Sequence, residues 1–263
     1  MSEQPVLIDV RADGSATLTL NRPHVHNAFD DALIRRLSEA IETLQDDPKV
    51  RVVVVAAAGK SFSAGADLNW LKRAADYTPE QNLDDVRALA NLLRTLHRLR
   101  QPTIAAVQGP AYGGGVGLVA CCDIAVASEA ARFSMSEVKL GLLPGTVSPY
   151  VIVAMGERQS RRYMLTGERF EATEALRIGL VHKVVAADAL ATAVQELVDV
   201  LLANGPQAMA ATKDLIAAMA RRPIDDRVIE DSAARFARIR ASDEGREGVR
   251  AFLAKRPPGW TRK

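Results

Sequence analysis

The sequence predicts an α/β protein whose C-terminal third is helical. Short β-branched runs alternate with longer helical patterns in the first half, and after Pro144 the pattern becomes helical almost throughout. The 263 residues, 48% of them hydrophobic and 25% charged, suffice for one large, well-buried core. No low-complexity linker divides the chain, so we assign residues 1–200 to the core and 201–263 to a helical region that is not an independent domain.

The elements follow in order along the chain. VLIDV and ATLTL flank an Asp13-Gly14 turn signal and predict an opening β-hairpin. Compact runs with little alternation, typical of strands covered on both faces, lie at 51–57, 103–109 and 123–128. Helical patterns run from Ala28 to about Leu44, from Pro79 to about Leu99 and, after one short strand at LVHKVV, from Ala187 to about Leu253.

Composition excludes several classes of function. The net charge is +2 and no long basic stripe with interleaved aromatics occurs, which argues against nucleic acid as the main partner. No apolar run is long enough to span a membrane, and the start MSEQPVLIDV resembles neither a secretory nor a transit signal, so we expect a cytoplasmic protein. Cys121 and Cys122 are adjacent, which suits neither a common disulfide nor a zinc site, and we expect buried core residues and no metal.

Glycines open an apolar helix in the segment YGGGVGLVACCDIA, residues 112–125. Glycine is a poor helix former, but it lets a ligand approach the backbone, and a helix start presents unpaired N–H groups and the positive end of the dipole. The pattern G-G-G-x-G differs from the dinucleotide-binding fingerprint G-x-G-x-x-G. The segment therefore predicts a site for an anionic oxygen, and close helix packing is the alternative explanation.

A second glycine turn, in GKSFSAGADLNW, follows the strand predicted at 51–57. By itself it has the composition of an ordinary loop. Two turns that follow two strands of one sheet could, however, aim two backbone N–H groups at one point. Together they predict an oxyanion hole.

Five segments carry a resemblance to a known family: LNRPHVHNAFD, FSAGADL, AAVQGPAYGGGVGL, ACCDIAVASEAARFSMSEVKLGLLPG and GLVHKVV. In order and spacing they resemble the crotonase, or enoyl-CoA hydratase/isomerase, superfamily over Val6 to Trp260. The finer pattern resembles the bacterial methylglutaconyl-CoA and isohexenylglutaconyl-CoA hydratase branch, which implies leucine or terpene catabolism. The resemblance implies a spiral of ββα units, with a helical C-terminal region that mediates contacts in a homotrimer or a dimer of trimers.

The resemblance also implies a site. The backbone N–H groups of Ala66 and Gly114 would stabilise a thioester enolate. No separate cofactor is implied, because coenzyme A is part of the acyl-CoA substrate. Contacts with coenzyme A would come from Val25, Ala64, Asp67 and Leu68, and from Phe252 and Lys255 reaching the nucleotide of a neighbouring subunit.

One departure from the family pattern concerns the catalytic carboxylates. Hydratases of the family commonly use two glutamates, and here the first position is Gly117 while the second is Glu137. The frequent GGTQ continuation is also replaced, by TVSPY. A single glutamate could transfer both protons in sequence, or a substrate carboxylate could act where the first glutamate is missing. Without the resemblance, a surface acid beside Lys139 is the favoured interpretation of Glu137, because most carboxylates are solvated.

Three functions follow from these observations. The first is hydration of an α,β-unsaturated acyl-CoA that is branched or carboxylated, with Glu137 as acid and base. The second is a 3,2-enoyl-CoA isomerase in which Glu137 is the sole proton shuttle. The third is a noncatalytic relative that binds acyl-CoA or RNA, and formation of a water adduct separates the first function from the others.

Overall fold

The computed structural model describes residues 4–261, so the first three residues of the N-terminal stretch lie outside it. The strands are β1 (Val6–Val10), β2 (Ser15–Leu20), β3 (Val52–Ala57), β4 (Thr103–Val107), β5 (Ala111–Tyr112), β6 (Ile124–Ser128), β7 (Arg132–Ser134), β8 (Phe170–Glu171) and β9 (Lys183–Val185). The helices are α1 (Asp31–Asp46), α2 (Leu68–Ala74), α3 (Pro79–His97), α4 (Gly114–Cys121), α5 (Ser148–Thr166), α6 (Ala172–Arg177), α7 (Leu190–Leu202), α8 (Pro206–Met219), α9 (Asp226–Ala241) and α10 (Asp243–Leu253).

The main sheet has six strands in the order β1-β2-β3-β4-β6-β9. β1 and β2 form the predicted antiparallel hairpin, and the remaining neighbours pair in parallel. Alternate residues of β3 belong to two hydrophobic clusters, since Val53 packs in the larger one while Val52 packs with α7. This confirms that the central strands are covered on both faces, and both adjacent cysteines are buried and free, as expected.

A second, three-stranded sheet in the order β5-β7-β8 was not predicted. Its strands are two or three residues long and show no periodicity in the sequence. The prediction of a single strand after Pro144 is therefore wrong, because β8 precedes β9. Helix α2, which follows the SAGAD turn, was also missed.

The first predicted helix begins later than expected because of its cap. The Asp30 carboxylate accepts a hydrogen bond from Leu33 N at 2.7 Å, so α1 starts at Asp31 rather than at Ala28. The apolar face of α1 packs into the large core through Leu33, Ile34, Leu37, Ile41 and Leu44.

The C-terminal helices are attached at the amino ends of the parallel strands. Lys213 Nζ on α8 contacts Asp123 Oδ2 at 2.7 Å, just before β6. Arg51, just before β3, donates to the carbonyls of Leu202, Asn204 and Trp260 at 2.8–3.0 Å. In the described structure α8 and α9 contain no buried residue, and the Lys213–Asp123 ion pair ties α8 to the sheet. In the stretch from residue 4 to 261, no helix is long and apolar enough to cross a bilayer.

Candidate active site

The two glycine turns run side by side beyond the main sheet. They follow β3 and β4, and Ser63 forms a parallel bridge with Ala111. Tyr112 N donates to Ser63 O at 2.8 Å. A Cβ built on Gly65 would lie 3.8 Å from Gly113 Cα. The residues that directly precede the two predicted oxyanion donors, Ala66 and Gly114, are therefore neighbours.

Both predicted donors are unpaired. Within residues 4–261, neither the Ala66 N–H nor the Gly114 N–H has a hydrogen-bond acceptor. Gly65 and Gly113 hold the two turns together, with φ of 86° and 48°, and a Cβ built on Gly65 would lie 3.2 Å from Tyr112 O. Gly114 is the first residue of α4, where the helix dipole adds a partial positive charge. Two adjacent free donors of this kind can stabilise an oxyanion.

Phe29 holds both turns in place. Its N–H donates to Gly65 O at 2.7 Å, and its carbonyl accepts from Asp67 N at 2.8 Å, so the Ala66 peptide is fixed on both sides. A Cβ built on Gly114 would lie 3.2 Å from the Phe29 ring, which is 1% exposed. The sequence did not predict this role of Phe29, which lies within the motif LNRPHVHNAFD. These glycines thus allow both close packing of the helix and access to its N–H groups.

Replacing Phe29 by Leu is expected to lower kcat about 10-fold with little change in KM, because the turns shift while the binding surface stays. Steady-state kinetics and thermal melting measure the two effects. Leu44→Ala is the control, since Leu44 is a buried side chain at the far end of α1, where its carbonyl accepts from Gln101 near the amino end of β4. An equal fall of kcat in both variants would show that general destabilisation, and not positioning, explains the effect.

Glu137 lies beside the glycine turns. Gly113 N donates to Ser134 O at 3.0 Å, which joins the end of β7 to the first turn residue. Three residues further on, Glu137 begins a 3-10 turn, Glu137–Leu140. Its Oε1 lies 3.1 Å from the position that a Cβ on Gly113 would take. Only a glycine at this position leaves the carboxyl its room next to the donors.

The environment of Glu137 suits an acid and base. Oε2 is buried and has no hydrogen-bond partner in the described part of the chain. Burial raises the pKa of the Glu137 carboxyl above its ordinary value. A carboxyl with a raised pKa can both accept and release a proton near neutral pH. The alternative of an exposed surface acid is wrong, because Glu137 is half-buried while Lys139 next to it is exposed.

The space next to Gly117 is filled. A Cβ on Gly117 would lie 2.5 Å from Val147 Cγ1 and 3.3 Å from Leu93 Cδ1. A side chain at position 117 would therefore have to displace Val147. Both mechanisms considered for the sequence stay predictions.

Four residues expected to contact coenzyme A lie around the Ala66 turn. Ala64 N donates to His26 O at 2.9 Å, which places Val25 near this turn. Ala64 is exposed, and Leu68, the first residue of α2, is 74% exposed. The contact of these four residues with coenzyme A stays a prediction.

Asp67 has a structural task at this turn. Its carboxylate caps α2 by accepting from Asn69 N at 2.8 Å, and it lies 3.7 Å from the Arg22 guanidinium. Its own N–H donates to Phe29 O. These bonds fix the backbone next to Ala66.

Phe252 and Lys255 do not approach the site of their own chain. Gly248, one turn before Phe252 on α10, packs on the Trp260 ring, and Trp260 O accepts from Arg51 at the amino end of β3. The glycine turns follow the other end of this strand, and six residues span about 20 Å. Phe252 is 81% exposed. The contact of Phe252 and Lys255 with a neighbouring subunit's nucleotide stays a prediction.

No group of three or more His, Cys, Asp or Glu side chains between residues 4 and 261 is arranged to hold a metal ion. The features of the site are two backbone donors and one carboxyl.

Known proteins resemble this chain over nearly its whole length. The family model described as enoyl-CoA hydratase/isomerase matches residues 11–263. The short-chain-enoyl-CoA hydratase of Clostridium acetobutylicum is 34% identical over 92% of both chains. The 2,3-dehydroadipyl-CoA hydratase of Escherichia coli is 32% identical over 96% of this chain and 97% of its own. The crystal structure of an enoyl-CoA hydratase from Shewanella pealeana superposes with a TM-score of 0.95 at 44% identity, covering 98% of this chain and 97% of that one. The predicted spiral α/β core with a helical C-terminal region is thereby confirmed.

Proposed function

The chain belongs to the enoyl-CoA hydratase/isomerase family, and from this premise we propose that it adds water to an α,β-unsaturated acyl-CoA with Glu137 as its acid and base. Relatives across the family are named hydratases, and the chain is accordingly an enzyme of the lyase class, a hydro-lyase. The observation that carries the proposal is the buried, unpartnered Glu137 Oε2 beside two free backbone donors.

The geometry supports a two-step addition. The thioester oxygen would accept hydrogen bonds from the N–H groups of Ala66 and Gly114. The oxygen of water forms a bond to C3 while one of its protons passes to the Glu137 carboxylate, and the C2=C3 electrons move onto the thioester oxygen as an enolate. Glu137 then returns the proton to C2. The product is the 3-hydroxyacyl thioester, and the carboxylate is restored.

A distal carboxylate on the acyl group is supported by an unpaired cation near the site. The Arg169 guanidinium lies 5.3 Å from the ring centre of Tyr112, the residue just before Gly113. No described residue forms an ion pair with Arg169. One relative is named for 2,3-dehydroadipyl-CoA, whose acyl group is dicarboxylic. We therefore propose a carboxylated substrate of the methylglutaconyl-CoA type.

Isomerisation is the second candidate, and the contact between Gly117 and Val147 favours it. Because Val147 fills that space, no second carboxylate is available there to activate water. Glu137 alone could remove a proton from C2 of a 3-enoyl thioester and return it to C4, so that the double bond moves to C2=C3.

Wild type and Glu137→Gln, each supplied with crotonyl-CoA and 3-methylglutaconyl-CoA, test the proposed hydration. Loss of enoyl absorbance gives the rate, and mass spectrometry identifies the product. We expect a water adduct, formed faster from 3-methylglutaconyl-CoA, that disappears in the variant. If neither substrate gains water, hydration of these acyl groups is disproved, and conversion of 3-hexenoyl-CoA to its 2-isomer would establish the second candidate.

Replacing Arg169 by Met should lower kcat/KM for 3-methylglutaconyl-CoA about 10-fold to 100-fold, the range expected for loss of one hydrogen bond between charged groups. Turnover of crotonyl-CoA should be unchanged. Arg158→Met is the control, because Arg158 is another exposed arginine without an ion pair in the described chain. A parallel fall with both substrates would exclude Arg169 as the partner of a substrate carboxylate.

A further inference from the structure

Position 117 lies one helical turn from the predicted donor Gly114. Gly117 N donates to Gly113 O at 3.2 Å, and Gly117 follows the donor Gly114 by three residues on α4. Residues three apart share one face of a helix, with about 5–6 Å between their Cβ atoms. A side chain at position 117 would therefore begin one helical turn from the predicted donor Gly114.

Val147 takes up this place with hydrocarbon. Its Cγ1 lies 2.5 Å and its Cβ 3.2 Å from where a Cβ on Gly117 would be, and Val147 is only 2% exposed. Leu93 from α3 closes the same space and is fully buried. Gly117 and Val147 are thus a matched pair, in which the absence of one side chain makes room for the other.

Local helix preference does not account for a valine here. Val147 is the N-cap residue of α5 and provides no side-chain hydrogen bond to the helix. Valine is among the poorest residues at an N-cap, where Ser, Thr, Asp and Asn are favoured. Packing beside Gly117 explains a valine at position 147, whereas capping of the helix does not.

We propose that Val147 is a specificity-determining residue, which fills the position of a second carboxylate and so commits the site to proton transfer by Glu137 alone. The inference rests on the proposed function. With one carboxyl, water must be deprotonated and C2 protonated in turn by the same group. Val147 therefore slows hydration of a simple enoyl thioester and leaves proton shuttling between C2 and C4 unaffected.

The double variant Gly117→Glu/Val147→Gly tests this assignment, because it installs a carboxylate and makes room for it. Hydration of crotonyl-CoA is measured for wild type, both single variants and the double variant, with isomerisation of 3-hexenoyl-CoA as the second activity. We expect the double variant to hydrate at least about 10-fold faster than wild type, a modest part of what a positioned acid or base contributes. Neither single variant should gain, and the isomerisation rate should not rise.

A gain in Gly117→Glu alone, or no gain in the double variant, overturns the proposal. Thermal melting of Gly117→Ala, Val147→Ala and their combination checks the packing independently, and Val147→Ala should restore the melting temperature that Gly117→Ala lowers. Gly117→Ala melting like wild type would also overturn it. If the wild type hydrates no substrate, the proposed function fails, whereas hydration gained by the double variant would still support the role of Val147.

Discussion

Replacing Glu137 by Gln is expected to lower kcat by about 10²–10⁴, the range for loss of a positioned acid or base. Glutamine keeps the size of the side chain, so the two backbone donors stay in place while the proton carrier is lost. Steady-state hydration kinetics measure the effect. Glu42→Gln is the control, since Glu42 is an exposed carboxylate on α1 without an ion pair in the described chain, and its turnover should match wild type.

The same variant should be more stable than wild type at neutral pH. Burial raises the pKa of Glu137 in the folded protein above its ordinary value of 4.5, so ionising this carboxyl costs free energy of folding. Wild type therefore loses stability as the pH rises through the raised pKa, and the Glu137→Gln variant does not. Denaturant midpoints of the two proteins should differ little at pH 4 and favour the variant at pH 8. A variant less stable at pH 8 would show that Glu137 is satisfied in the folded protein.

Replacing Gly114 by Pro should lower kcat/KM by about 10²–10³, the loss associated with one oxyanion donor. Proline has no N–H, and the first helical position is where a helix tolerates it best. Proline, like alanine, places a Cβ 3.2 Å from the Phe29 ring, but it also removes the N–H, so Gly114→Ala is measured beside it to separate the two effects.

Asp226→Pro is the matched control for this variant. It places proline at the first residue of α9, in the helical C-terminal region and after an extended Asp225. Its turnover and melting temperature should stay close to those of wild type. If Gly114→Pro retains full activity with a native melting temperature, the Gly114 N–H is not a donor to the thioester oxygen.

The parts of the site predicted from sequence are those that a single segment encodes. Glycine-containing turns directly after strand-like runs predicted the two turns of the site, and the family resemblance singled out Ala66, Gly114 and Glu137 within them and beside them. Phe29, Val147 and Arg169 were missed because their roles depend on contacts between segments far apart in the chain. The contact of Val147 with Gly117 spans thirty residues, and its only sequence signal was the replacement of GGTQ by TVSPY.

The fold was also predicted where one segment encodes the feature, and missed where the feature depends on contacts between distant segments. Long elements in the first half have enough residues for a period to appear, and β1 to β4, β6, α1 and α3 were found within a few residues of their ends. The helix α5 had no predicted bounds, and the single predicted run from Ala187 to about Leu253 contains four helices, α7 to α10. Strands β5 and β8, of two residues each, have no period of their own and form only because β7 pairs with both. The second sheet follows from tertiary pairing rather than from local preference.

The side-by-side arrangement of the two glycine turns affects how this protein can change over evolution. Both proposed oxyanion donors belong to the main chain, so any substitution other than proline leaves the N–H groups themselves intact. Selection can then exchange the surrounding side chains, such as those at positions 117, 137, 147 and 169, one mutation at a time, while thioester activation is inherited unchanged. A lineage built on this scaffold can diversify its reactions without first losing its starting activity.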